Sequence, residues 1–164
     1  MLRLEGFAPS VASRIDALGK RLKSYGAQER FEERDSKALW ADIRDCQLFH
    51  GNRETVWRIS STPSHGHEVV KAVAADASIS YFYDWQGGLI WLLINGGRPR
   101  PNLVRNALAA HGGGHATLIR ADAATRQSIP VFQPQAGPLA ALSERYRTNF
   151  DPHGLLNPGR MFGQ

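Results

Sequence analysis

The chain has 164 residues, 42% hydrophobic and 21% charged, with 16 Gly, 9 Pro and a formal net charge of +5. That length and apolar share suit one domain with a real core, and they exclude collagen-like, mucin-like and wholly disordered chains. The longest apolar run, Leu89–Ile94, is far short of the roughly 20 residues a membrane helix needs.

Met1-Leu-Arg-Leu-Glu5 lacks the apolar core of a signal peptide. Cys46 stands alone, which excludes an internal disulfide and a cysteine-based zinc cluster and makes a reducing cytoplasm the expected setting. The positive charge comes mainly from arginines scattered from Arg3 to Arg160, and Arg98, Arg100 and Arg105 are the nearest to a cluster. Scattered arginines read as solvated surface charge rather than as a nucleic-acid footprint.

In chain order, residues 1–6 alternate apolar and polar and predict a short strand. Pro9 and Ser10 open a helix whose apolar face is Val11, Ile15, Leu18, Leu22 and Tyr25, ended by Gly26. A second helix is predicted over about 35–48, with Leu39, Trp40, Ile43 and Cys46 as its stripe. Residues 54–60, β-branched and aromatic, predict a strand. A loop at 61–64 and a short helix with Val69, Val70 and Val73 inward follow.

Residues 78–85 and 89–95 are β-rich runs joined at Gln86-Gly87-Gly88, the clearest hairpin in the chain. Leu89–Ile94 is apolar on both faces and predicts a central strand. Leu103, Val104, Ala107 and Leu108 mark a helix that stops at the glycines after His111. Residues 115–120 predict another strand. Pro130, Pro134 and Pro138 punctuate an extended stretch, and Gly137-Pro138 starts a last helix with Leu139, Leu142 and Tyr146 inward. Strands interleaved with helices around a hairpin predict an α+β, ferredoxin-like fold, an antiparallel sheet with helices packed on one face.

Several motifs invite chemistry that their context refuses. His111-Gly-Gly-Gly-His115 follows a helix and precedes a strand, the reverse of a phosphate-binding turn, and reads as a helix C-cap. Read as a lipase-type oxyanion loop it would need G-x-S-x-G, which does not occur. Cys46 on an apolar stripe reads as a core thiol. His65-x-His67-Glu68 and the histidines flanking the glycines look chelating, but the spacing suits ordinary polar histidines, and no metal site is predicted. Tyr81 and Tyr83 would share one face of their strand and Phe82 the other; without an RNP1 pattern they read as packing aromatics.

The end of the chain is more specific. Phe150-Asp-Pro-His-Gly-Leu-Leu-Asn-Pro-Gly-Arg-Met161 follows the last helix, and it resembles the C-terminal signature of FAD-linked oxidases of the vanillyl-alcohol-oxidase type. Upstream, Leu2–Phe7, Leu39-Trp40, Val56-Trp-Arg-Ile-Ser60, Asp84-Trp-Gln-Gly-Gly-Leu-Ile-Trp91, Gly113-Gly-His-Ala116 and Ser128-Ile-Pro-Val-Phe132 occur in order. Together they resemble the C-terminal, cap half of the FAD-binding subunit of bacterial glycolate oxidase. The flavin domain of that family is not in this sequence, and neither is the H-x-G-D-G-N motif of the related catalytic subunits.

The resemblance implies one cap or substrate-type domain over 1–164, with 150–164 as a tail that returns to a flavin domain. It implies FAD as cofactor, held mainly outside this chain, and partners that include a flavin-binding domain and an iron–sulfur subunit. It further implies a place in the oxidation of glycolate to glyoxylate, without activity in isolation. The setting it implies is cytoplasmic, peripheral to the inner membrane only through a complex. Asn157 is the expected cofactor contact by its place in the tail. Arg58, mid-strand and opposed in direction to Trp57 and Ile59, is a candidate carboxylate or flavin-side contact. His115, opening a strand beside flexible glycines, is the candidate substrate-binding residue. The other reading is a non-enzymatic ferredoxin-like module that binds RNA or a protein.

Overall fold

The structure is a computed structural model, and it describes residues 1–158. Gly159, Arg160 and Met161 of the tail signature lie outside the described residues. The chain forms two compact units, Met1–His50 and Gly51 onward. The apolar burial is unevenly shared. Of the buried hydrophobic residues, only Phe49 lies in the first unit.

In the first unit, helix α1 spans Ala8–Leu22 with Pro9 in its first turn and Lys20 and Arg21 in its last. That arrangement spares an amide no partner could satisfy and sets cations at the negative end of the helix dipole. Helix α2 spans Glu33–Arg44, opened by Glu33 and Asp35 and closed by Arg44. It ends earlier than the apolar stripe predicts, because Cys46 takes a left-handed backbone, φ 52°, before a 3₁₀ turn at Gln47–Phe49. Residues 1–6 form no strand: they find no partner strand, and Arg3 instead pairs with Glu5 and lies over the Trp40 ring. Helix α1 buries no residue, and Tyr25, expected on its apolar face, is exposed.

The second unit carries the sheet. Strand β1 is Thr55–Ser61, helix α3 Gly66–Asp76, β2 Ile79–Asp84, β3 Leu89–Ile94, α4 Pro101–Ala110 and β4 Gly114–Arg120. The strand order is β2-β3-β1-β4 with every pairing antiparallel. This βαββαβ arrangement is the ferredoxin-like fold expected from the sequence. Leu89–Ile94 is a central strand, and the turn at 85–88 closes the hairpin.

One face of the sheet packs on α3 and α4. Trp57, Ile59, Ile90, Leu92, Ile94, Ala116 and Leu118 meet Val69, Val70, Val73, Val104, Ala107 and Leu108 in a single buried cluster. Trp57 satisfies its indole N–H on the Pro99 carbonyl at 2.8 Å, so this large side chain is buried without an unmet donor. Arg105 of α4 lies over the Trp57 ring and donates to the carbonyls of Pro130 and Phe132, tying the segment after β4 to the helix.

That segment is not simply extended. A short helix, α5, covers Ala123–Ser128, capped where the Asp122 carboxylate accepts the Thr125 N–H. The last helix, α6, covers Gly137–Phe150 as predicted, but Leu139, Leu142 and Tyr146 are not inward. They are 52%, 44% and 61% exposed.

Candidate functional site

Strand alternation sends Trp57 and Ile59 to the helices and Val56, Arg58 and Ser60 to the second face of the sheet. Register then fixes what surrounds Arg58. It lies opposite Trp91 on β3 and Thr117 on β4, and Trp91 lies opposite Phe82 on β2. A row Phe82–Trp91–Arg58–Thr117 therefore crosses all four strands. The next row is Asp84–Leu89–Ser60–His115. Val56, Leu89 and Leu93 of this face are buried, whereas Arg58, Trp91 and Thr117 are half-buried and His115 and Ile119 are exposed.

The Phe82 and Trp91 rings stack with centroids 6.4 Å apart, and the Arg58 guanidinium lies 5.5 Å from the centre of the Trp85 ring. Among the described residues three arginines are half-buried: Arg58, Arg105 and Arg120. Arg105 donates to Pro130 and Phe132, and Arg120 donates to the Glu54 carbonyl and the Asn52 side chain. Among the described residues Arg58 donates to no carbonyl and pairs with no carboxylate. It is a permanent cation with a planar fork of donors and an indole ring beside it, which suits a carboxylate or another planar anion.

The structure brings two of the three expected site residues together. His115 is diagonal to Arg58 on the same face, one register step along β4 from Thr117. Asn157 stands apart, in the tail after α6, with no hydrogen bond or ion pair to Arg58 or His115 among the described residues. Its backbone is left-handed, φ 48°, a conformation Asn tolerates better than other side-chain-bearing residues. The turn before it is shaped by Asp151, whose carboxylate accepts the N–H groups of Leu155 and Leu156 at 2.9 and 2.8 Å. Those backbone donors hold the Asp151 carboxyl below its usual pKa range.

Two of the chelating-looking histidines, His65 and His111, face Glu68. His65 Nδ1 lies 2.6 Å from Glu68 Oε2 and His111 Nδ1 lies 3.6 Å from the same oxygen. The His65 hydrogen bond, aided by the charges of His65, His111 and His67, lowers the Glu68 pKa. Among the described residues no group of three or more His, Cys, Asp or Glu is arranged to hold a metal ion. The glycines between His111 and His115 cap α4 and turn into β4, with φ of 88°, 73° and 138°, as the helix-to-strand order implied. Tyr81 and Tyr83 do share a face, in edge-to-face contact at 5.4 Å, and Phe82 takes the other.

Sequence reasoning passed over Trp85, Trp91 and Thr117. The signal was present for two of them: counting outward from the 86–88 turn pairs residue 91 with 82, and a second antiparallel neighbour places residue 117 beside 58.

Comparison with known proteins agrees with the resemblance read from the tail. The chain is similar to the glycolate oxidase subunit GlcE of Escherichia coli (strain K12), 30% identical over 164 residues, which is 99% of this chain. It spans only 39% of that protein's length, matching its C-terminal part. No family model matches the chain, and no solved structure matches it. None of the described helices is long and apolar enough to cross a membrane.

Proposed function

We propose that this chain is the cap, or substrate, half of a flavin-dependent 2-hydroxy-acid oxidase that takes part in the oxidation of glycolate to glyoxylate. The observation that carries this reading is Arg58: a half-buried arginine whose guanidinium has no acceptor among the described residues, on the same sheet face as His115, in a chain similar to a glycolate oxidase subunit. FAD is the cofactor this reading requires, and when bound it accepts the hydride from C2–H of the hydroxy acid.

The residues present fit contact with an acid substrate or a flavin edge, not with the phosphates of a dinucleotide. Among the described residues the glycine run leads from helix to strand, so no helix N-terminus faces an anion there. Arg58 binds the carboxylate or a ring oxygen through its fork. His115 offers a ring nitrogen to the substrate hydroxyl and can accept its proton while neutral. Asn157 supplies a donor and an acceptor to the ring edge when the tail returns to the flavin-binding portion. The exposed stripe of α6 and Leu155 and Leu156 lie against that same portion. Other subunits, an iron–sulfur subunit among them, complete electron transfer.

The test is glycolate-dependent dye reduction by the longer, flavin-containing protein carrying Arg58→Ala or His115→Ala. Loss of one charge-assisted contact costs on the order of 1.5–3 kcal/mol, so the Arg58 change is expected to lower kcat/KM tenfold or more. An Arg58→Ala protein with undiminished kcat/KM and flavin content would remove the proposed role.

A further inference from the structure

The β2–β3 turn has a feature that hairpin formation does not require. Trp85, Gln86 and Gly87 take successive left-handed backbones, φ 47°, 57° and 95°. Hairpin turns that need positive φ favour Asn, Asp and Gly, and a bulky aromatic there is strained. Burial does not recover that cost, since Trp85 is 64% exposed. The surroundings hold the turn in place instead. The Asp84 carboxylate accepts the Trp85 N–H at 2.8 Å, a Cβ on Gly87 would meet the Pro63 carbonyl oxygen at 3.0 Å, and one on Gly66 would meet the Gly87 carbonyl oxygen at 2.4 Å. What the strained residue achieves is a position for its indole against the Arg58 guanidinium, 5.5 Å from ring centre to Cζ.

We propose that Trp85 is a positioning residue for Arg58: its indole holds the guanidinium plane by cation–π contact and leaves the N–H edges free for an anionic ligand on the second face of the sheet. A backbone strained at two exposed non-glycine residues, one of them a bulky aromatic, points to a role beyond stability. A cation–π contact suits the task, because it fixes the plane of an arginine without using any of its hydrogen-bond donors. A carboxylate partner would fix it equally well but would occupy the fork. This inference rests on the anion-binding reading of Arg58 and adds what orients it.

Two measurements on the 164-residue chain test it, with oxalate as the anion probe at low ionic strength. In the NMR spectrum the Arg58 Nε–H resonance is expected to be shifted by the indole ring current. Trp85→Asn, which suits a left-handed backbone, should abolish that shift and keep or raise Tm, whereas Trp85→Phe should retain part of it. By calorimetry Trp85→Asn should weaken oxalate binding roughly three- to fivefold, Trp85→Phe less, and Arg58→Ala about tenfold or more. If Trp85→Asn leaves both the resonance and the affinity unchanged while Arg58→Ala loses binding, the positioning role is overturned and the anion site stands. If the wild-type chain and Arg58→Ala are alike in failing to bind oxalate, the anion site is overturned and the positioning role with it.

Discussion

Three side chains define the proposed chemistry, and each makes a separate demand on its backbone. Arg58 projects from the middle of β1 onto the face away from the helices, so Arg58→Ala is expected to change chain stability by less than about 0.5 kcal/mol. Thermal melting of the chain checks this, and a collapse of the fold would make Arg58 structural. Asn157 needs a subtler variant. Ala at φ 48° adds backbone strain to the loss of the amide, whereas Gly removes the amide alone. Asn157→Gly should therefore leave melting unchanged and lower flavin retention in the longer protein, which absorbance after desalting reads.

Glu68 provides a pH test at the same scale. Its pKa is lowered in the folded chain, first by the His65 hydrogen bond. Its contribution is therefore complete above the unfolded carboxyl value near 4.5 and is lost as pH falls through the lower folded value. The difference in Tm between wild type and Glu68→Gln should be present at pH 7 and close toward pH 3. A difference that persists unchanged at pH 3 would show that the carboxylate charge does not hold this corner.

At the scale of elements, the approach of β4 to β1 depends on Gly114. Its φ is 138°, and a Cβ there would sit 2.1 Å from the Ser60 carbonyl oxygen. The neighbour is backbone paired in the sheet, so it has little freedom to yield. Gly114→Ala should destabilise by at least about 1–3 kcal/mol and should lower amide protection along β4 ahead of β3, as hydrogen exchange would show. Equal protection in both strands would contradict this.

Helix α6 behaves in the opposite way. Leu139, Leu142 and Tyr146 are exposed, so Leu142→Ser should cost the chain less than about 0.5 kcal/mol. In the longer protein the same change should weaken flavin retention, if the stripe lies against the flavin-binding portion as proposed.

These two elements show what the sequence could and could not reveal. The βαββαβ core was legible because each strand alternates or is fully apolar and each helix is punctuated by Pro or Gly; local patterning and tertiary burial agree there. The stripe of α6 was equally legible as a pattern, yet an apolar stripe does not specify its partner, and the assumption of inward packing failed. Residues 1–6 failed for the same reason, since alternation without a pairing strand makes no sheet. α5 was missed because its signal is a single Asp122 cap in a proline-rich stretch. Arg58 was proposed from its strand direction and His115 from its place beside the glycines, and the β1–β4 register puts both on one sheet face. Trp85 was missed because its role depends on a backbone conformation that its residue type does not favour.

For the whole molecule, the distribution of burial matches the proposed division of labour. The second unit has a closed core under one sheet face and carries Arg58 and His115 on the other. The chain spans 39% of the length of the relative it matches, so the larger share of that relative has no counterpart here. Two matching expectations follow for the 164-residue chain. It should be colourless, because its described residues offer no cradle for a dinucleotide's phosphates. It should also be inert toward glycolate, because a carboxylate-binding arginine and a histidine supply no electron acceptor.

The most direct test combines both in one preparation: FAD content and glycolate-dependent dye reduction by the purified chain with FAD supplied, before and after adding the flavin-binding portion of a glycolate oxidase. The account predicts no retained FAD and no reduction by the chain alone, reduction once the flavin-binding portion is present, and a loss of about tenfold or more with Arg58→Ala. A yellow chain that holds stoichiometric FAD and reduces the dye unaided would contradict it, as would a complemented reaction indifferent to Arg58.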